Sequence, residues 1–222
     1  MRLIKNIQNK IFLLLGRVLQ KHIKSKLNKC HITIIGGKEA KEKVQYQSAL
    51  ITAWHKYIIP NEYLRSFFSE ESIALAFDGP AGKIGAALGK YSSTIYLSPN
   101  KKNAPLSLVS TIKKLKKKKK FFCYIAPDGP CGPPHKAKPG AITIAKKMNI
   151  PIIPVSYAFS KYWAIPSWDQ MIVPSSCSHI VISVGSPLYF QDMTIEEGVI
   201  YLENQLNDQE YMAKQHLAYL MK

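Results

Sequence analysis

The sequence predicts an α/β fold: one domain on a sheet of about seven mostly parallel strands, flanked by helices. Two observations carry this. Short apolar runs of strand length recur along the chain, and polar or amphipathic stretches long enough for helices interleave them. The chain also has 222 residues and 46% hydrophobic content, enough to cover both faces of such a sheet, which excludes wholesale disorder.

Residues 1–29 place Leu3, Ile4, Ile7, Ile11, Leu14, Leu15, Val18, Leu19, Ile23 and Leu27 at helical spacing, with lysines and an arginine between them. The longest unbroken apolar run, Ile11 to Leu15, falls far below the roughly 20 residues that span a bilayer. A signal-peptide pattern is absent from the sequence as well. Two readings stay open: a helix lying in the headgroup plane of an anionic membrane, or a core-packing helix with a solvated basic face. The α/β domain then occupies residues 30–222.

HITII (31–35) reads as a strand, GGKEAKEK as a polar turn, and SALITAWH (48–55) as a buried strand that delivers His55 at its carboxyl end. A short helix follows over 60–68. IALAF (73–77) is the next strand and ends on Asp78. GPAGK (79–83) lacks the spacing and the Ser or Thr of a phosphate loop, which excludes ATP binding there. Gly82, Gly85 and Gly89 instead let a helix approach the sheet. STIYL (93–97) is a strand with Lys101 and Lys102 just past its end. Residues 104–119 form a helix whose end, 113–120, carries seven lysines in eight positions. That run is a solvated face, an anionic-membrane patch or a nonspecific nucleic-acid contact, without the aromatic interleaving that suits single strands.

FFCYIA (121–126) feeds the most constrained stretch, IAPDGPCGPPHKAKPG (125–140). Pro127, Pro130, Pro133 and Pro134 fix φ there, and Gly129 and Gly132 permit turns closed to other residues. Asp128 sits at the strand's end, where open α/β sheets place their ligands, with His135, Lys136 and Lys138 beyond it. Pro139-Gly140 starts a helix to Met148 whose free N–H groups suit an anion. IPIIPVSYAF (150–159) is a core strand that its prolines mark as an edge or a bulge. SKYWAIPSWDQMIVP follows as an irregular segment, either a cap on the core or a wall for an acyl chain or membrane. HIVISVG (179–185) closes the strands, and Thr194 with Glu197 caps a final helix over 194–220.

A formal charge of +17, from 31 Lys and Arg against 14 Asp and Glu, implies an anionic partner: nucleic acid, a phospholipid surface or a phosphorylated substrate. The four cysteines show neither CxxC nor Cys/His metal spacing and read as reduced thiols in a cytosolic compartment. Three strand ends carry His55, Asp78 and Asp128. A neutral imidazole oriented by a carboxylate is a usable base for drawing a proton from a hydroxyl.

WH after a buried strand, PDGPCGP (127–133), KPG (138–140), PIIPV (151–155), SWD (167–169) and the late ISVGSPL stretch together resemble the lysophospholipid acyltransferase superfamily, in its bacterial branch of formerly unknown function. The resemblance covers roughly residues 30–190. It implies a glycerolipid acyltransferase-like fold and acyl transfer to a hydroxyl of a lysophospholipid or related glycolipid. The donor it implies is a thioester, acyl-CoA or acyl carrier protein, with no metal and no tightly bound cofactor. His55 matches the superfamily's general base; Asp128 and Gly129 match its acceptor-binding Glu-Gly. An anionic membrane surface is the implied partner, without specific nucleic acid, and the implied location is peripheral, on the cytoplasmic face.

The pattern also departs from the superfamily. Pro60 stands where an Asp is usual five residues after the histidine, so Asp78 is the acid expected to orient His55, with Glu62 behind it. Cys131 replaces a basic residue, leaving phosphate binding to Lys136 and Lys138, with Lys101 standing in for a missing Arg. The alternative these losses leave is a noncatalytic basic adaptor that binds anionic membrane or nucleic acid on an acyltransferase fold. A thiol hydrolase using Cys131 and His135 is a third reading.

Overall fold

The structure is a computed structural model and describes residues 14, 18, 21–68, 71–88, 91–98 and 104–222. Most of the stretch expected to form the N-terminal helix, the side chain of Glu62, and Lys101 with Lys102 lie outside those residues. The elements in order are β1 (His31–Ile35), α1 (Gly37–Lys43), β2 (Ala49–Thr52), a 3₁₀ turn (His55–Tyr57), α2 (Asn61–Phe67), β3 (Ser72–Phe77), α3 (Pro80–Leu88), β4 (Ser93–Leu97) and α4 (Ala104–Leu115). Then come β5 (Phe122–Ile125), α5 (Gly140–Met148), β6 (Ile152–Phe159), β7 (Tyr162–Ala164), β8 (Ile172–Pro174), β9 (His179–Val184) and α6 (Ile195–Leu220).

Seven strands form one sheet in the order β1-β9-β6-β2-β5-β3-β4. Every neighbouring pair is parallel except β6 and β9. This is the expected mostly parallel sheet with its helices. The carboxyl ends of β2 through β6 therefore share one edge, and the reversal at β9 brings the amino ends of β1 and β9 to that same edge. β2 and β6 are buried at every residue, which is why they read as unbroken apolar runs.

The long helix α6 closes one face. Its capping box is formed as expected: the Glu197 N–H donates to Thr194 Oγ1 and the Thr194 N–H donates to the Glu197 carboxylate. Gly198, Leu202, Leu206, Gln209 and Ala213 recur at helical spacing on its buried side. Ser183 of β9 donates to Gln209 Oε1 at 2.7 Å, which satisfies two buried polar groups where the helix crosses the sheet.

Several local expectations are corrected. The stretch after β1 is the helix α1, not a polar turn. β6 is central, not an edge: Pro154 is the last residue paired with β2, so its missing N–H falls where that ladder ends. The segment 160–174 holds a hairpin, β7 against β8. Gly82 does bring α3 close, since a Cβ there would overlap the Phe77 carbonyl oxygen. Residues 21–27 are helical, and Ile23 and Leu27 belong to the core, so core packing describes this end of the N-terminal helix. Leu14 and Val18, earlier in the chain, are 61% and 60% exposed.

Candidate functional site

His55 lies three residues beyond the end of β2, in the 3₁₀ turn. The buried Trp54 anchors that turn from behind. Asp128 follows the end of β5, the strand beside β2, so both residues come to the same sheet edge. The backbone N–H of His55 donates to Asp128 Oδ1 at 3.0 Å, with Oδ2 at 3.3 Å. Asp128 is 1% exposed, and burial pushes its carboxyl up to about 6, against the opposing pull of the His55 N–H.

The imidazole itself faces a different acid. Its Nδ1 is 2.6 Å from Oδ2 of Asp169, which arrives on the loop between β7 and β8. Ser167 Oγ donates to the other Asp169 oxygen at 2.6 Å, and the Met171 N–H donates back to Ser167 Oγ at 3.4 Å. The carboxylate is thus held at both oxygens. When the imidazole is neutral with its proton on Nδ1, that N–H donates to this carboxylate and Nε2 is left with the free lone pair.

The expectation that Asp78 orients His55 is corrected by this arrangement. The Asp78 side chain is 51% exposed and pairs with Lys83 at 3.0 Å. It lines a separate hollow with Tyr96, Leu97, Ser98, Leu106 and Ser107, two strands away from β2 in the sheet order.

The constrained loop forms one wall. Gly129 and Gly132 take φ of +70° and +60°, conformations that side chains with a Cβ rarely adopt. A Cβ on Gly132 would lie 2.5 Å from the Trp168 ring, so the glycine lets the loop press against that indole. Trp168 in turn tilts over His55, with ring centroids 5.0 Å apart. His135 stacks on Trp54 at 5.1 Å; burial first, then the Lys56 charge, holds it below the usual imidazole range.

Lys138 and Lys136 part company. A Cβ on Gly129 would lie 3.0 Å from Lys138 Nζ, so that ammonium sits over the loop at Gly129. Lys136 points outward and pairs with Glu203 of α6 at 3.3 Å. The N–H groups of Gly129, Ala137 and Lys138 donate to Ala126 O, Glu203 Oε1 and Pro127 O, so these three stabilise the loop itself. Below the turn, Lys56 pairs with Glu210 at 2.9 Å, and burial holds that lysine below its usual range despite the carboxylate. Glu210 also binds Lys214 at 2.7 Å, so α6 grips both the histidine turn and the loop.

No family model matches the chain. An uncharacterised protein of Rickettsia prowazekii (strain Madrid E) is 32% identical to it over 152 residues, 67% of this chain and 67% of that protein. The chain belongs to that protein's family. Among solved structures it is similar to the 1-acyl-sn-glycerophosphate acyltransferase PlsC from Thermotoga maritima, at a TM-score of 0.55 and 16% identity, over 96% of this chain and 99% of that one. That likeness shows an acyltransferase-like α/β fold.

The residues that sequence reasoning missed are Asp169 and Ser167. SWD was noted as a motif, but its carboxylate was given no role. A signal was present: Asp169 is the only acid between Asp128 and Asp192. A single acid in a long apolar, aromatic stretch is costly to bury unless something pairs with it.

Proposed function

We propose that the chain is a peripheral membrane acyltransferase that moves an acyl group from a thioester, acyl-CoA or acyl carrier protein, to a hydroxyl of a lysophospholipid or related glycolipid. The observation that carries this reading is the pair formed by His55 and Asp169 at the carboxyl edge of an acyltransferase-like sheet. His55 Nε2 takes the proton of the acceptor hydroxyl as its oxygen attacks the thioester carbonyl. The tetrahedral adduct collapses, the carbon–sulfur bond breaks, and the departing thiolate recovers the proton from the imidazolium. Asp169 keeps the ring in the required tautomer and balances the imidazolium charge.

In this reading Asp128 is a positioning residue, since its carboxylate holds the backbone of His55. Lys138, over Gly129, supplies positive charge for an acceptor phosphate. Lys136, already paired with Glu203, contributes less, and Lys101 keeps the role that the resemblance implies. No described helix is long and apolar enough to cross a membrane, so contact with lipid falls to surface elements.

The test is transfer of a labelled acyl group from acyl-CoA and from acyl carrier protein to a panel of lysolipids and glycolipids. Turnover that His55→Ala abolishes is the expected result. Equal turnover by His55→Ala rejects the base. No transfer with any donor, together with salt-sensitive binding to DNA, favours the basic adaptor instead.

A further inference from the structure

Among the described residues, two basic surfaces lie at opposite ends of the sheet. The lysine run after α4 lies at the amino ends of the parallel strands: Lys118 pairs with Glu71, just before β3, and Lys120 donates to Gln45 O, just before β2. That end is remote from His55. The second lies on the edge that carries His55, where the amino ends of β1 and β9 meet the carboxyl end of β6. β7 presents Tyr162, Trp163 and Ala164 to solvent, with Tyr162 at 53% and Trp163 at 49%, while its partner β8 is wholly buried. Cys30 Sγ donates to Ser175 O at 3.3 Å, which joins the base of the hairpin to the helical residues 21–27.

We infer that the outer face of the β7–β8 hairpin, together with the helix leading into β1, is the surface on which the protein docks to an anionic bilayer. Three observations carry this. Tyr and Trp are the side chains that settle at headgroup depth, with an apolar ring and a polar tip, and β7 exposes one of each. The flanking charge has one sign: Lys161 and Lys21, Lys24 and Lys29 are exposed, and no acid precedes Glu39 in the chain. The one acid of the hairpin, Asp169, is turned inward onto His55. Leu14 and Val18, each helical, add exposed apolar side chains.

The lysine run carries more charge and has the exposed Tyr46 beside the Gln45 carbonyl that Lys120 holds, but docking through it would turn His55 away from the lipid. Docking through the hairpin brings an acceptor resident in the bilayer to the edge where Trp168 and His55 lie. The inference rests on the lipid acceptor of the proposed function. Its readout is binding in the absence of any acyl donor, so loss of docking and loss of catalysis are separable.

The experiment is co-sedimentation of the full chain with vesicles of phosphatidylcholine alone and with one third phosphatidylserine. The variants are Tyr162→Ser/Trp163→Ser, an α4-run variant with Lys113, Lys114, Lys116, Lys117 and Lys119 changed to Gln, and His55→Ala. Expected are binding to the anionic vesicles, at least tenfold weaker binding by the hairpin variant, less than threefold change for the run variant and none for His55→Ala. Near-ultraviolet dichroism of the hairpin variant should match the parent outside the lost tryptophan band. Brominated acyl chains should quench the parent's fluorescence, and Trp163→Phe should lose at least half of that quenching. Failure of the parent to bind, unchanged binding by a folded hairpin variant, a larger loss from the run variant, or undiminished quenching in Trp163→Phe each overturns the inference. So does a hairpin variant that keeps vesicle binding and loses only binding to an acidic carrier protein.

Discussion

Asp169 Oδ2 lies 2.6 Å from His55 Nδ1, across 114 residues of chain, and the two meet only because the β7–β8 loop folds back over the end of β2. The acid is 4% exposed and is itself held by Ser167. A histidine so oriented has one ring nitrogen committed and one left to do chemistry.

On the proposed function, Asp169→Asn should therefore lower kcat by about 10² to 10⁴ while leaving KM within a few-fold, because the acid would act on the proposed base and not on ground-state binding. Asp78→Asn should leave both constants near the parent's, since that carboxylate serves Lys83. Steady-state kinetics on the two variants decide between the acids. Equal losses from both would undo the assignment of Asp169.

Asp128 predicts a pH dependence. Its folded-state carboxyl is raised to about 6 from an ordinary value of 3.8, so the folded chain holds this proton more tightly than the unfolded chain. The stability this brings is full below about pH 4 and is lost as pH rises through 6, with an upper bound of roughly 3 kcal/mol. Asn at this position cannot ionise and can still accept from the His55 N–H. The stability of Asp128→Asn relative to the parent should rise between pH 4 and 7, as read from denaturant unfolding at each pH. A flat difference would show that Asp128 does not titrate in that window.

Gly132→Ala should destabilise the protein by about 1–3 kcal/mol, from a strained positive φ and from a Cβ thrust into the Trp168 ring. Trp168 tilts over His55, so the displaced ring should also lower turnover. Thermal unfolding and turnover measure the two effects. Alanine tolerated without a shift in either would mean that the loop does not press on Trp168.

Glu210→Ala should cost about 3 kcal/mol, because it leaves the half-buried Lys56 ammonium without its 2.9 Å partner. Lys56→Met/Glu210→Leu removes both charges and should be less destabilising than Glu210→Ala alone. Equilibrium unfolding of the single and double variants forms the test. Additive losses would show that the pair is not coupled.

Much of the architecture was legible in local pattern. Strand-length apolar runs separated by helical stretches led to a sheet of seven mostly parallel strands, because burial on both faces demands such runs. The Thr194–Glu197 cap could be read from four residues, since its hydrogen bonds close within one turn. Pro154 misled because a missing N–H suggests an edge, whereas in β6 it marks a change of partner. The hairpin of residues 162–174 was missed because its strands are only three residues long, too short for an alternating pattern to register.

Sequence by itself determined the class of fold, the rigid turn at Asp128 and the histidine that closes the β2 turn, all of which follow from residue types over short spans. It could not choose the acid for that histidine. Asp78, Asp128 and Asp169 each stand near apolar segments, and spacing does not rank them. Tertiary structure decided: the sheet order sets Asp78 two strands away, gives Asp128 the backbone of His55, and folds Asp169 over the imidazole. The reason is physical, for an ion pair depends on a few ångströms of distance, and sequence separation carries no information on that distance.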